Sequence, residues 1–100
     1  MLDLEKLRAK SQVIEANLSR LEQLRAYSRE DFLADFRNVE SAKRLLQVAI
    51  EAMIDAVTHI ARKRLPTPAG HAEAFTRLRD AGQLPQEHIP TYLVMVRFRQ

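Results

Sequence analysis

The sequence predicts an all-α fold, an antiparallel helical bundle of three long helices with short ones between them. Apolar residues recur at alternating three- and four-residue steps along nearly the whole chain. Glycine and proline, which interrupt helices, are confined to a few junctions. No run alternates apolar and polar residues between turn signals, so no strand is expected. Taken in order, Leu4, Leu7, Ile14, Leu18 and Leu21, with Ser11 filling the gap, make residues 3–26 one amphipathic helix whose stripe needs a partner helix. Ser28 followed by Asp31 resembles a capping box with aspartate in place of glutamate. It opens a short helix through Phe32, Leu33 and Phe36, with a bend near Arg37-Asn38. Residues 39–64 form the longest helix. Its Leu45, Leu46, Val48, Ala49, Ile50, Met53, Ile54, Ala56, Val57 and Ile60 cover most of the circumference, which makes it the central one. Leu65-Pro66-Thr67-Pro68-Ala69-Gly70 cannot continue a helix, because two prolines remove amide donors and restrict the residues before them. A short helix over residues 71–81 closes at Gly82, and Pro85 suits the first turn of a last helix, with a slight distortion expected at Pro90. The final Val94-Met95-Val96-Arg97-Phe98-Arg99-Gln100 holds no glycine, asparagine or proline, so that helix is expected to continue past Gln100.

Composition narrows the function classes. One hundred residues form one domain, able to bury about 60–65% of the unfolded surface. With 46% apolar and 29% charged residues the chain is globular and not disordered. The absence of cysteine removes disulfides, thiolate zinc sites and thiol nucleophiles, and suits a reducing cytoplasm. Residues 1–6 already mix acids and bases, unlike a secretory leader, and the apolar stretch 45–61 is broken by Glu51, Asp55 and His59. A soluble protein with no membrane partner is expected. The net charge of +3 mildly favours polyanionic partners without marking a nucleic-acid coat. Basic residues concentrate locally, at Arg62-Lys63-Arg64 and at Arg97 and Arg99. Such clusters also fit the negative end of a helix dipole.

Three groups of residues could carry chemistry. Gln47, Glu51, Asp55, Thr58 and Arg62 follow one another at helical steps and form a narrow polar stripe on the otherwise apolar central helix. The stripe is either the solvated edge of a bundle helix or the wall of a cleft. In a cleft its two carboxylates could move protons, position an arginine or bind a divalent ion. His59 lies one turn beyond Asp55, but no third strong metal ligand accompanies the pair. His71 and His88 begin helices with no evident partner. No triad-like serine, glycine-rich phosphate loop or paired zinc motif is present, which leaves most enzyme classes unsupported. The terminal arginines are two residues apart, on nearly opposite sides of a helix. Arg99 extends the stripe of Tyr92, Met95 and Val96, whereas Arg97 continues the line of Ile89 and Leu93. Arg99 is the one expected to look into a cleft, where a guanidinium could grip a phosphate or pack its stem over apolar neighbours.

Several segments together resemble the HepT-like branch of the HEPN superfamily over almost the whole chain. They are the helix from Arg44 to Asp55 continuing to His59-Ile60, the Leu65-Pro66 loop, the Gly82-Gln83-Leu84-Pro85 turn, and the final Met95-Val96-Arg97-Phe98-Arg99-Gln100. Members typically end the last segment with an arginine, four to six residues, a histidine, one residue and a tyrosine. Arg99 occupies the arginine position. The histidine and tyrosine would follow Gln100, which stands where asparagine or another small polar residue is common. The resemblance implies a single domain over residues 1–100 and an up-and-down helical homodimer whose final helices meet in a shared cleft. It implies an RNA-cleaving toxin of a toxin-antitoxin pair that needs no metal or other cofactor. Arg99 would hold the phosphoryl oxygens, with Gln100 beside it and Asp55 as a stripe residue able to orient the arginine. The implied antitoxin is a minimal nucleotidyltransferase, MntA-like, that adds AMP to the motif tyrosine, which is not Tyr92. The alternatives are a non-catalytic partner or nucleotide-binding subunit of such a nucleotidyltransferase, and a purely structural helical dimer.

Overall fold

A computed structural model describes residues 2–64 and 70–99, and those residues form helices and turns with no strand among them. The order is α1 (Leu4–Arg25), α2 (Arg29–Ala34), α3 (Phe36–Arg64), α4 (His71–Asp80), a 3₁₀ turn (Gln86–His88) and α5 (Ile89–Arg99). The fold is the all-α helical bundle expected. Of the proline-containing loop, residues 65–69 lie outside the described residues, as does Gln100.

Side-chain chemistry sets each boundary. Asp3 caps α1 by accepting from the Lys6 amide at 3.0 Å. Ser28 caps α2 through its hydroxyl, which accepts from the Asp31 amide at 3.1 Å, as the capping-box reading anticipated. The expected bend lies earlier than Arg37-Asn38. Asp35 takes an extended conformation, and its Oδ1 accepts from the Arg37 amide at 2.9 Å while both carboxylate oxygens grip the Arg37 guanidinium. The carboxylate replaces a helical carbonyl for that amide, so α2 stops at Ala34 and the central helix starts at Phe36. At the far end of α4, Gly82 has φ +78. Its amide donates to Arg79, and that of Gln83 donates back to Leu78, the paired bonds of a Schellman ending that the left-handed residue makes possible. The last helix begins at Ile89, not at Pro85. Pro90 has no N–H to reach the Gln86 carbonyl, so that turn closes as 3₁₀ through the Ile89 amide instead. Within α5 the same proline occupies the first turn, where a missing donor costs no helical bond.

Packing places α3 between two unequal neighbours. Along one side α1 runs antiparallel to it, with Asp3 joined to His59, Lys10 to Asp55 and Asn17 to the Leu45 carbonyl. On the other side the core is built with α4 and α5. One buried cluster joins Ile50, Ile54, Phe75, Ile89 and Val96, and a second joins Ala61, Ala74 and Leu78. The Phe75 and Tyr92 rings meet at 5.3 Å between centroids. Leu84 packs against both clusters, while the apolar residues of α5 join only the one around Ile50 and Ile54. Both Ile89 and Val96 join that cluster, so α5 packs on the middle of α3 along most of its own length. No α1 residue belongs to either cluster, and Asn17 is the only buried residue of that helix.

Candidate functional site

Arg99 sits in the last described turn of α5, three residues after buried Val96. Its backbone is anchored by that core contact and its side chain is exposed. Among the described residues no carboxylate pairs with Arg97 or Arg99, so both guanidiniums keep their hydrogen-bonding capacity for a ligand. Both lines of α5 traced in the sequence turn inward higher up the helix, through half-buried Tyr92 and Met95 on one side and through Ile89 and Leu93 on the other. Arg99 lines none of the clefts described below, all of which lie along α1, α3 and the start of α4.

The polar stripe of α3 divides. Gln47 and Glu51 are solvent-exposed, as an edge would be, but Thr58 is buried at 5% exposure. Its hydroxyl lies 3.0 Å from Nδ1 of His71, the first residue of α4. His71, expected to lack a partner, thus joins α4 to α3. The reason is tertiary: the start of α4 lies beside the second-last turn of α3. Asp55 is held by Lys10 at 3.2 Å across the α1–α3 seam, and no contact joins it to Arg99. His59 does not bond Asp55; its Nε2 accepts from the Asp3 amide at 3.0 Å and pins the start of α1. His88, also expected to be solitary, lies beside the Tyr92 ring at 6.2 Å. Asp55, Thr58, His59, Arg62, Lys63, His71 and Lys6 surround a polar cleft of about 370 Å³. Among the described residues no group of three His, Asp or Glu is placed to share a metal ion.

A larger groove, about 800 Å³, opens at the other end of the α1–α3 pair. Arg20, Gln23 and Leu24 come from the last turns of α1, Tyr27 from two residues past its end, and Arg37, Glu40, Ser41, Arg44 and Leu45 from α3. Arg37, Glu40 and Arg44 continue the polar stripe backward from Gln47 at the same three- and four-residue steps. That continuation was present in the sequence, although the stripe was traced only from Gln47.

With this geometry in place, the comparison with protein families is decisive: the profile described as Ribonuclease HepT-like matches residues 14–100. The chain belongs to the HepT-like ribonuclease family. No curated protein and no solved structure matches it. The HepT-like match runs from the middle of α1 to Gln100, so it takes in the full polar stripe, the Lys10–Asp55 pair's α3 half and Arg99. Among the described residues of this HepT-like chain, no helix is long and apolar enough to cross a membrane.

Sequence reasoning missed three features of the HepT-like chain. Lys10 as the partner of Asp55 had no local signal, because 45 residues separate them. Asn17 did carry one, a polar residue within an apolar stripe, and it proves to be buried against the Leu45 carbonyl. The groove around Tyr27 was signalled by the arginines extending the stripe.

Proposed function

We propose that this HepT-like chain is a metal-independent endoribonuclease, the toxin of a toxin-antitoxin pair, acting in the cytoplasm. The observation that carries the reading is an exposed Arg99, unpaired among the described residues, on a core-anchored helix of a chain that matches the ribonuclease family over residues 14–100; the reading assigns it the motif's arginine position. In the reaction an RNA 2′-hydroxyl attacks the adjacent phosphorus and the bond to the 5′-oxygen breaks. Arg99 donates paired hydrogen bonds to the non-bridging oxygens, which gain charge in the transition state. A histidine expected after Gln100 moves the protons. Asp55, whose Oδ2 holds Lys10 at 3.2 Å, is assigned no step of this reaction.

A homodimer brings two such arginines to one cleft. Val94 and Phe98, one turn apart on α5, are 57% and 47% exposed, and this apolar strip beside Arg99 suits pairing of the final helices. The partner that silences the toxin is a minimal nucleotidyltransferase that transfers AMP to the motif tyrosine expected beyond Gln100.

The test is cleavage of a labelled single-stranded RNA by the natural protein in the presence of a chelator. Arg99→Ala should cut the rate by about 10²–10³, leaving helix content and the unfolding midpoint unchanged, while Arg97→Ala has a far smaller effect. Equal rates for wild type and Arg99→Ala would remove the catalytic assignment. Tight binding of the nucleotidyltransferase without any cleavage would support the non-catalytic partner reading instead.

A further inference from the structure

We infer that the groove between the end of α1 and the start of α3 is a docking site for single-stranded RNA, built from Arg20, Arg44 and Tyr27. The inference deepens the ribonuclease reading and rests on it for the choice of RNA over other polyanions. Three arginines line the groove. Arg37 is clamped by Asp35 at 2.8 Å, but Arg20 and Arg44 pair with no described residue. The one carboxylate in the lining, Glu40, is turned to Lys43 at 3.6 Å. The free positive charge therefore belongs to Arg20 and Arg44, one on each wall.

Between those walls the groove has the other half of what a nucleotide needs. Tyr27 is half-exposed at 51%, just past the end of α1, so its ring offers a face to solvent. Leu24 and Leu45 contribute apolar lining, and Gln23 and Ser41 add neutral donors and acceptors. Guanidinium groups that follow a phosphate backbone, with an aromatic ring on which a base can stack, are the usual means of holding a single strand without reading its sequence. An acidic peptide would use the arginines and leave the ring idle.

Fluorescence anisotropy of a labelled ten-nucleotide RNA on the full chain, in an Arg99→Ala background to prevent cleavage, tests the site. Tyr27→Ala should weaken binding roughly five- to hundredfold, the span measured for lost base stacking. The Arg20→Ala/Arg44→Ala pair should flatten the dependence of log K on log salt by about 0.7 for each phosphate that is no longer neutralised. Arg8→Ala, an exposed arginine outside the groove, serves as the control and should leave both quantities near the parent's. Parent-like affinity and salt slope in the groove variants, with helix content intact, would overturn the inference. The two readings fail separately. RNA cleavage by the wild type with groove variants that bind normally removes only the groove, whereas groove-dependent binding without cleavage removes only the ribonuclease chemistry. Equal weakening for an acidic peptide of matched charge would likewise overturn RNA as the occupant.

Discussion

Replacing Asn17 with aspartate changes one atom type at the single buried position of α1, and the consequence can be worked out from its surroundings. Asn17 is 8% exposed, and its Nδ2 donates to the Leu45 carbonyl at 3.0 Å. That carbonyl sits inside α3, where its own helix also supplies a donor, so Asn17→Ala orphans no acceptor. The alanine variant loses a net hydrogen bond, about 0.5–1.5 kcal/mol, and recovers part of this through alanine's better helix propensity, a gain of about 0.6 kcal/mol. A net loss of about 1 kcal/mol or less follows. Aspartate is worse, because its ionised oxygen faces the carbonyl oxygen with no proton to share. Leaving an unpaired charge at a nearly buried site should cost about 2–4 kcal/mol at neutral pH. Protonation restores a donor, so the carboxyl's folded-state pKa is raised above its unfolded value. The variant is therefore nearest to wild type below the unfolded aspartate pKa of about 3.9, and the gap widens as pH rises through the folded value. Urea titration followed by circular dichroism, for wild type, Asn17→Ala and Asn17→Asp at several pH values, measures the gap directly. A pH-independent difference between Asp and Ala variants, or a smaller loss for Asp than for Ala at a pH of about 7, would refute this account of the α1–α3 contact.

Other perturbations test separate parts of the structure. Ile54→Ala empties a completely buried position between α3, α4 and α5 and should cost about 2–5 kcal/mol, read as a lowered urea midpoint with an unchanged slope. Ser28→Ala removes the cap of α2 and should cost about 1 kcal/mol; Ser28→Asp, which retains an acceptor, should restore most of it. The Arg37 guanidinium, with the Arg37 amide, holds the Asp35 carboxyl below the usual carboxylate range. Its stabilising effect is therefore present above the ordinary aspartate pKa and is lost as pH falls through the depressed one. Asp35→Asn should accordingly be less stable than wild type at pH 7 and indistinguishable from it at the acid end, in paired denaturation curves.

Much of this fold could be read from residue spacing because helices impose their period directly on sequence. Leu4 to Leu21 identified α1, Ser28 identified the start of α2 and Gly82 the end of α4, each through local chemistry that needs no tertiary context. Two boundaries moved for reasons that are also local but compete with periodicity. Asp35 captured an amide that a continuous helix would have used, and Pro90 denied one that an earlier start of α5 required. The candidate site was less legible. The stripe from Gln47 to Arg62 was visible, but which of its members meet water and which meet protein depends on where α1 and α4 lie. Lys10 and His71 reach the stripe from 45 and 13 residues away. No local pattern announces such meetings. Arg99 was singled out by its relation to Tyr92, Met95 and Val96; the burial of Val96 fits that geometry, and the chemistry of the guanidinium awaits the cleavage experiment.

Helix α1 is joined to the rest of the molecule by a seam of polar links and half-buried leucines, and it contributes nothing to the two buried clusters. Its detachment would leave the packing of α3 against α4 and α5 intact, so α1 can open as a unit of its own. Amide exchange should reveal this as faster turnover along residues 4–25 than along the core-facing half of α3. The groove carrying Arg20 and Tyr27 exists only while α1 is docked. A ligand spanning the two helices would consequently slow that exchange, and the mobility of one peripheral helix would become a gauge of whether the groove is filled.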